Sequence, residues 1–182
     1  MPAANTQGKV LPDGGLIASD AMQYQGQVPY VYGGANPSGW DCSGFVNWVL
    51  GHDLQMKLPG ATKAGFAGTS HGPVVVNYAS WTGAATIASP EAGDLCIWVG
   101  VGTGGHIGIA QSPTTMISAL NPALGTIVTP IIGAGPTGAP LIYRRIGQSG
   151  SLNVGCVPLL GFLALAANRY SNHRATPALS RS

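Results

Sequence analysis

The sequence predicts an α+β domain, and three observations predict it. An apolar helical pattern, Phe45, Val46, Trp48, Val49 and Leu50, follows a Gly-rich turn early in the chain. Short β-rich runs punctuated by Gly and Pro dominate from residue 94 onward. At 182 residues there is room for one compact core plus a tail. Helix first and strands afterwards gives a helix laid on an antiparallel meander.

The elements follow in order. Residues 1–14 read as an N-terminal arm with few apolar anchors. Leu16, Ile17, Ala21 and Met22 carry a helical pattern from Leu16 to Tyr24, with Asp13 as its cap. Residues 25–39 are loop-rich, and Asn36-Pro37-Ser38-Gly39 reads as a turn. Asp41 is a good N-cap for a helix from about Cys42 to Gly51, where the glycine would stop it. Residues 57–73 have weak periodicity and read as a loop or a short, broken helix. Then come the strands: 94–100, 106–111, 115–120, 126–132 and 141–146. The domain is thus expected over 15–146. The remainder, 147–182, reads as a flexible linker, one short apolar helix within 155–170 and a polar tail.

Composition narrows the function classes. Only 8% of residues are charged and the net charge is +2 with no basic run, so nucleic-acid binding has no electrostatic support. A surface so poor in charge resists association weakly, which suits a partner or a larger assembly. The three cysteines, Cys42, Cys96 and Cys156, are too few for a disulfide framework. Cys96 and Cys156 read as buried small hydrophobes, with a bridge between them as the alternative. Scattered histidines without paired ligand spacing give no metal site, and no cofactor motif is present. The longest apolar run, 157–167, is too short to span a bilayer. Residues 1–7 have neither the basic nor the apolar stretch of a signal peptide, so none is expected.

The chemistry lies in Trp40-Asp41-Cys42-Ser43-Gly44-Phe45. A thiol at a helix N-terminus meets unsatisfied N–H groups and the positive end of the macrodipole, and both favour the nucleophilic thiolate. A base is offered by His106 in Gly105-His106-Ile107-Gly108-Ile109. On that strand His106, Gly108 and Ala110 share a small, polar face suited to lie under a helix end, with glycines 104, 105 and 108 leaving space for substrate. Ile107, Ile109 and Gln111 share the core face. The residue that orients the imidazole depends on register. A three-residue loop at 111–113 puts Ser118 opposite His106, whereas a looser turn puts Asn121 there; Ser118 is favoured by position. His71 and His52 are weaker candidates for the base, and His52 reads as a partner of its helix C-terminus. Trp40, Trp48, Trp81 and Trp98 read as core or groove walls.

Pro29-Tyr30-Val31-Tyr32-Gly33-Gly34, Asp41-Cys42-Ser43-Gly44-Phe45-Val46, Ala92-Gly93-Asp94-Leu95 and His106-Ile107-Gly108-Ile109, in this order, resemble the NlpC/P60 family of cell-wall peptidases over roughly 16–146. The resemblance implies a minimal papain-like fold, with the nucleophile-bearing helix packed on an antiparallel sheet. It implies a cysteine peptidase that hydrolyses peptidoglycan stem peptides, usually between D-glutamate and a diamino acid. Cys42 would attack, His106 would serve as base and then acid, and the Cys42 N–H would help hold the oxyanion. Tyr30 matches the family's tyrosine near the nucleophile, and Asp41 and Ser43 match groove-lining positions. The family's third catalytic position, commonly His, Asn or Gln, falls on Ser118, with Asn121 as the substitute. Residues 60–73 lack the Arg-Thr/Ser pattern often found there, and 147–182 match nothing in the family.

A wall peptidase without a signal peptide needs another exit, and a bacteriophage supplies one. The expectation is therefore a virion tail component that pierces the host wall, with 147–182 meeting other tail proteins. The alternatives are an endolysin held in the host cytoplasm until holin-dependent release, an amidase of the same fold, and a structural tail plug or adaptor with little activity.

Overall fold

The structure is a computed structural model that describes residues 12–100 and 104–147. The expectations for residues 1–11 and 148–182, including Cys156 and the apolar helix, lie outside the described residues.

Helix α1 spans Gly14–Met22, and Asp13 caps it by accepting from the Leu16 N–H. The helix therefore starts two residues earlier and ends two residues earlier than the expected Leu16 to Tyr24, because Gly14 already belongs to the first turn. Ile17, Ala18 and Ala21 form its buried face. Strands β1 (Ala35–Asn36) and β2 (Gly39–Trp40) make a small hairpin around the expected turn, with Ala35 opposite Trp40.

Helix α2 begins at Cys42 and runs to Asn47, then widens into a π-helical stretch, Trp48–Asp53, in which Leu54 donates to the Val49 carbonyl five residues back. The expected stop at Gly51 is thus wrong. Gly51 serves close approach instead: a Cβ there would lie 2.5 Å from Phe66 Cβ and 2.9 Å from a Leu58 methyl. A short helix, α3 (Val75–Ala79), and strand β3 (Ala84–Ile87) have no clear sequence signature. Residues 57–73 fold as turns and loop.

The remaining strands fall where the sequence put them: β4 (Leu95–Trp98), β5 (His106–Ala110), β6 (Thr115–Asn121), β7 (Gly125–Pro130) and β8 (Leu141–Ile146). The sheet is antiparallel throughout, in the order β3-β8-β4-β5-β6-β7. Only β4 to β7 form a meander. β8 returns to insert between β4 and β3, so the simple meander expectation is corrected. An ion-pair anchor holds that return: Arg145 donates through Nε and a terminal nitrogen to the two carboxylate oxygens of buried Asp94, at 2.9 and 2.7 Å.

One face of the sheet packs on α1 and α2. Phe45, Val46, Val49 and Leu50 meet Leu95, Ile97, Ile107, Ile109 and Ile117 there, all fully buried. Each such side chain contributes about 1.5–3 kcal/mol by leaving water. Trp40 sits in this core and donates from its indole N–H to Thr126 Oγ1 at 2.8 Å, tying the helix start to β7. The other face carries Cys96, Trp98, Ala110, Met116 and Ile131 under the 131–140 loop. The expected α+β class holds, with the helix that begins at Cys42 packed on an antiparallel sheet.

Candidate active site

Asp41 sets the position of Cys42. Its Oδ1 accepts from the Ser43 and Gly44 N–H groups and from the Ser43 hydroxyl, at 2.9–3.0 Å, and its Oδ2 accepts from the Gly33 N–H at 3.0 Å. The cap thus fixes both the first helical turn and the Tyr-Gly loop before it. It leaves the Cys42 N–H out of its own network.

The base arrives from β5. His106 is the first residue of that strand, paired with Trp98, whose ring lies 5.9 Å from the imidazole. Both His106 and Cys42 are almost fully buried, at 6% and 7% exposure, and both line one cavity of about 650 Å³. The Ile107 backbone reaches the Cys42 thiol, which sets Cys42 beside the start of β5.

The face assignment needs correction. The body of α2 packs on the Ile107 and Ile109 side, whereas His106, Gly108 and Ala110 lie on the face of Trp98, Cys96 and Met116. Cys42 and His106 share a cavity at the end of the strand rather than across that face.

Ser118 orients the imidazole: His106 Nε2 and Ser118 Oγ are 3.1 Å apart, and Ser118 is fully buried. When Nε2 carries the proton and donates to Ser118, Nδ1 is the basic nitrogen. The route to this contact differs from either expected register. Ile109 faces Ile117 and Ala110 faces Met116, so Ser118 stands across from Gly108 and reaches His106 diagonally. Glycine at 108 makes room for it, since a Cβ there would be 3.0 Å from Ser118 Cβ and 2.8 Å from Met116 Sδ. That space serves Ser118 and Met116 instead of substrate. The structure does not bring Asn121 to the imidazole. Its Oδ1 accepts from the Ala123 and Leu124 N–H groups and closes the β6–β7 turn beside a bulge.

Electrostatics overturn the thiolate expectation. Burial pushes the Cys42 thiol up to about 11, with the Asp41 charge adding to the rise; the N–H groups of Ile107, Ser43 and Cys42 act the other way and lose. Burial also pushes His106 down to about 4, and no carboxylate opposes it because its partner is a neutral hydroxyl. The resting pair is therefore thiol and neutral imidazole near pH 7. The low exposure of both groups decides this, which a helix-end argument from sequence does not see.

A second cavity, of about 520 Å³, also reaches Cys42 and is lined by Tyr30, Asp41, Ser43 and His71 among others. The expected groove residues Tyr30, Asp41 and Ser43 thus gather around the nucleophile. His71, a weaker candidate for the base, is engaged by Asp41 instead. Its Nε2 lies 3.0 and 2.9 Å from the two Asp41 oxygens. Nothing in the local Gly/Pro pattern signals this, because the contact joins positions 30 residues apart. His52 stacks on Trp48 at 3.8 Å and pairs with Asp53 at the end of the π-helical stretch, as a helix-end residue should. Cys96 is a buried free thiol that burial pushes up to about 12. Among the described residues no group of three or more His, Cys, Asp or Glu side chains is placed to hold a metal. No helix among them is long and apolar enough to cross a membrane.

Comparison with known proteins gives the same picture. A family model described as "NlpC/P60 family" matches residues 26–131. Protein P54 of Enterococcus faecium is 34% identical over 110 residues, which is 60% of this chain and 19% of that protein. The protein described as "Probable peptidoglycan endopeptidase LytE" of Bacillus subtilis is 32% identical over 115 residues, 58% of this chain and 29% of that protein. The chain thus spans less than a third of either relative's length. The crystal structure of the NlpC/p60 domain of peptidoglycan hydrolase SagA superposes with a TM-score of 0.51 at 30% identity, over 72% of this chain and 97% of that one.

Proposed function

The chain belongs to the NlpC/P60 family, and on that premise we propose that it is a cysteine endopeptidase that hydrolyses peptidoglycan stem peptides. The observation that carries this is the convergence of Cys42, at the capped helix start, and the His106–Ser118 pair on one cavity.

The neutral resting pair shapes the mechanism. His106 Nδ1 takes the Cys42 proton as sulfur attacks the carbonyl carbon, so charge separates only when a substrate carbonyl can accept it. The tetrahedral oxygen is held by the Cys42 N–H, which the Asp41 cap leaves out of its network. The C–N bond then breaks, the imidazolium returns its proton to the leaving amine, and a thioester remains. Water, deprotonated by His106, attacks the thioester carbonyl; the thiolate leaves and recovers the proton, releasing the acid.

Two finer readings belong to the same proposal. The bond cleaved is that between D-glutamate and the diamino acid, supported by the family's usual bond and the residue-by-residue match at Tyr30, Asp41 and Ser43. Carriage in a phage tail is supported by the sparse charge of the chain and the apolar stretch within 155–170.

Incubation of purified protein with peptidoglycan fragments, read by mass spectrometry, tests the reading. The expected products carry a new amino terminus on the diamino acid, and Cys42→Ala yields none. If both proteins release the same products, the peptidase reading fails and the structural tail reading takes its place. An intact diamino-acid bond with a released glycan would instead identify an amidase. Proteomics of purified particles against the soluble lysate separates virion component from endolysin.

A further inference from the structure

We propose that His71 determines substrate selectivity on the acyl side of the scissile bond: by occupying the Asp41 carboxylate it closes that pocket to a free ammonium, so the peptide enters with its amino terminus acylated. The inference rests on the peptidase reading and concerns the second cavity.

The side follows from the chemistry. His106 protonates the leaving amine, so the cavity it lines takes the leaving residue. The second cavity shares Cys42, Tyr30 and Gly105 with the first but is not lined by His106, and therefore takes the acyl part. Among its lining residues Asp41 is the single carboxylate, and an unfilled carboxylate beside Tyr30 and Ser43 would be the natural seat for a substrate cation.

Here the seat is filled. A carboxylate offers about four lone-pair sites on two oxygens. Three donors, the Ser43 N–H, the Ser43 hydroxyl and the Gly44 N–H, crowd onto Oδ1, whereas the Gly33 N–H alone reaches Oδ2 and leaves one site there. His71 Nε2 then sits across both oxygens at 3.0 and 2.9 Å, with the Asp41 side chain only 10% exposed.

The imidazole is held in place from behind. Asn47 Nδ2 donates to the His71 carbonyl at 2.7 Å and to that of Pro73 at 3.0 Å, and Tyr78 donates to Asn47 Oδ1 at 2.7 Å. Asn47 and Tyr78 are both fully buried. Beyond this clamp and the two tyrosines, Tyr30 and Tyr32, the side chains that line the pocket include four valines, Val74, Val75, Val76 and Val99. With the carboxylate occupied, such a wall suits an uncharged acylamide better than an ammonium.

Binding separates this inference from the reaction. Alanyl-γ-D-glutamyl-lysine, with its amino terminus free or acetylated, is titrated calorimetrically into Cys42→Ala protein, which cannot turn over. The acetylated peptide is expected to bind more tightly. In Cys42→Ala/His71→Ala the affinity ratio should shift toward the free amine by about tenfold or more, equal to about 1.4 kcal/mol. Cys42→Ala/His71→Gln keeps an N–H donor for Asp41 and should keep the original preference, which a merely structural role for His71 would not predict. Equal binding of both peptides, binding of neither, preference for the free amine, or an unchanged ratio in the His71→Ala background overturns the inference. Whether protein with Cys42 intact cleaves either peptide is read separately and decides the peptidase reading.

Discussion

Two histidines flank Cys42, and each has a partner of different chemistry. His106 is 6% exposed and faces a neutral serine hydroxyl. His71 faces a carboxylate that is also the cap of the nucleophile helix. The first pair carries no fixed charge, so burial alone sets the imidazole and keeps it neutral. The second pair consumes its polarity internally, holding a helix end and filling a pocket. The lesson is that a histidine's job near a nucleophile is set by its partner and its exposure more than by its distance in sequence. The histidine next to a carboxylate holds a helix end here, and the one next to serine is the base of the proposed mechanism.

If that contrast is right, removing the imidazole on the His106 side has the largest effect on chemistry. His106→Ala should lower turnover of stem-peptide fragments by about 10³-fold, within the range general acid–base catalysis supplies, while His71→Gln stays far closer to wild type. Comparable losses in both variants, measured as kcat/KM, would break the comparison.

Stability against pH sharpens it next. The folded-state pKa of His106 is lowered from 6.5 to about 4, so the unfolded chain binds a proton first on acidification. The stability His106 contributes is complete above 6.5 and is lost as pH falls toward about 4. That loss amounts to about 3 kcal/mol at about 1.4 kcal/mol per pKa unit. Urea unfolding should show the decline in wild type and a shallower one in His106→Gln.

Ser118→Ala should reduce kcat by about tenfold with little change in KM, since it orients the ring and adds no charge. A tenfold effect on KM instead would place Ser118 in substrate binding. The smallest effect concerns the thiols. Cys42 alkylation should be slow near neutral pH and rise with alkalinity toward about 11, staying ahead of Cys96, which burial pushes to about 12. Rapid labelling of Cys42 at pH 7 would show that the resting pair is charged.

The legible parts of the molecule are those whose signals are local. Asp13 and Asp41 are recognisable caps because a carboxylate one to three residues ahead of a helix pattern binds N–H groups of its own first turn. Strands β4 to β8 were legible from β-rich runs ending at Gly or Pro. Helix α3 and strand β3 were not, because Val75–Ala79 is a single turn and Ala84–Ile87 is defined by pairing with β8. The same pairing turned the expected meander into an inserted strand order.

The site divides along the same line. Cys42, His106 and Ser118 were legible as residue types at family spacing. By itself the sequence determined the fold class and narrowed the candidate site to Cys42, His106 and either Ser118 or Asn121. Only the tertiary structure decided the β5–β6 register, the diagonal reach of Ser118 past Gly108, the protonation of the resting pair and the seating of His71 on Asp41. The physical reason is common to all four. Caps and strand periodicity depend on neighbours along the chain, whereas register, desolvation and a hydrogen bond between residues 41 and 71 depend on which distant surfaces the fold brings together.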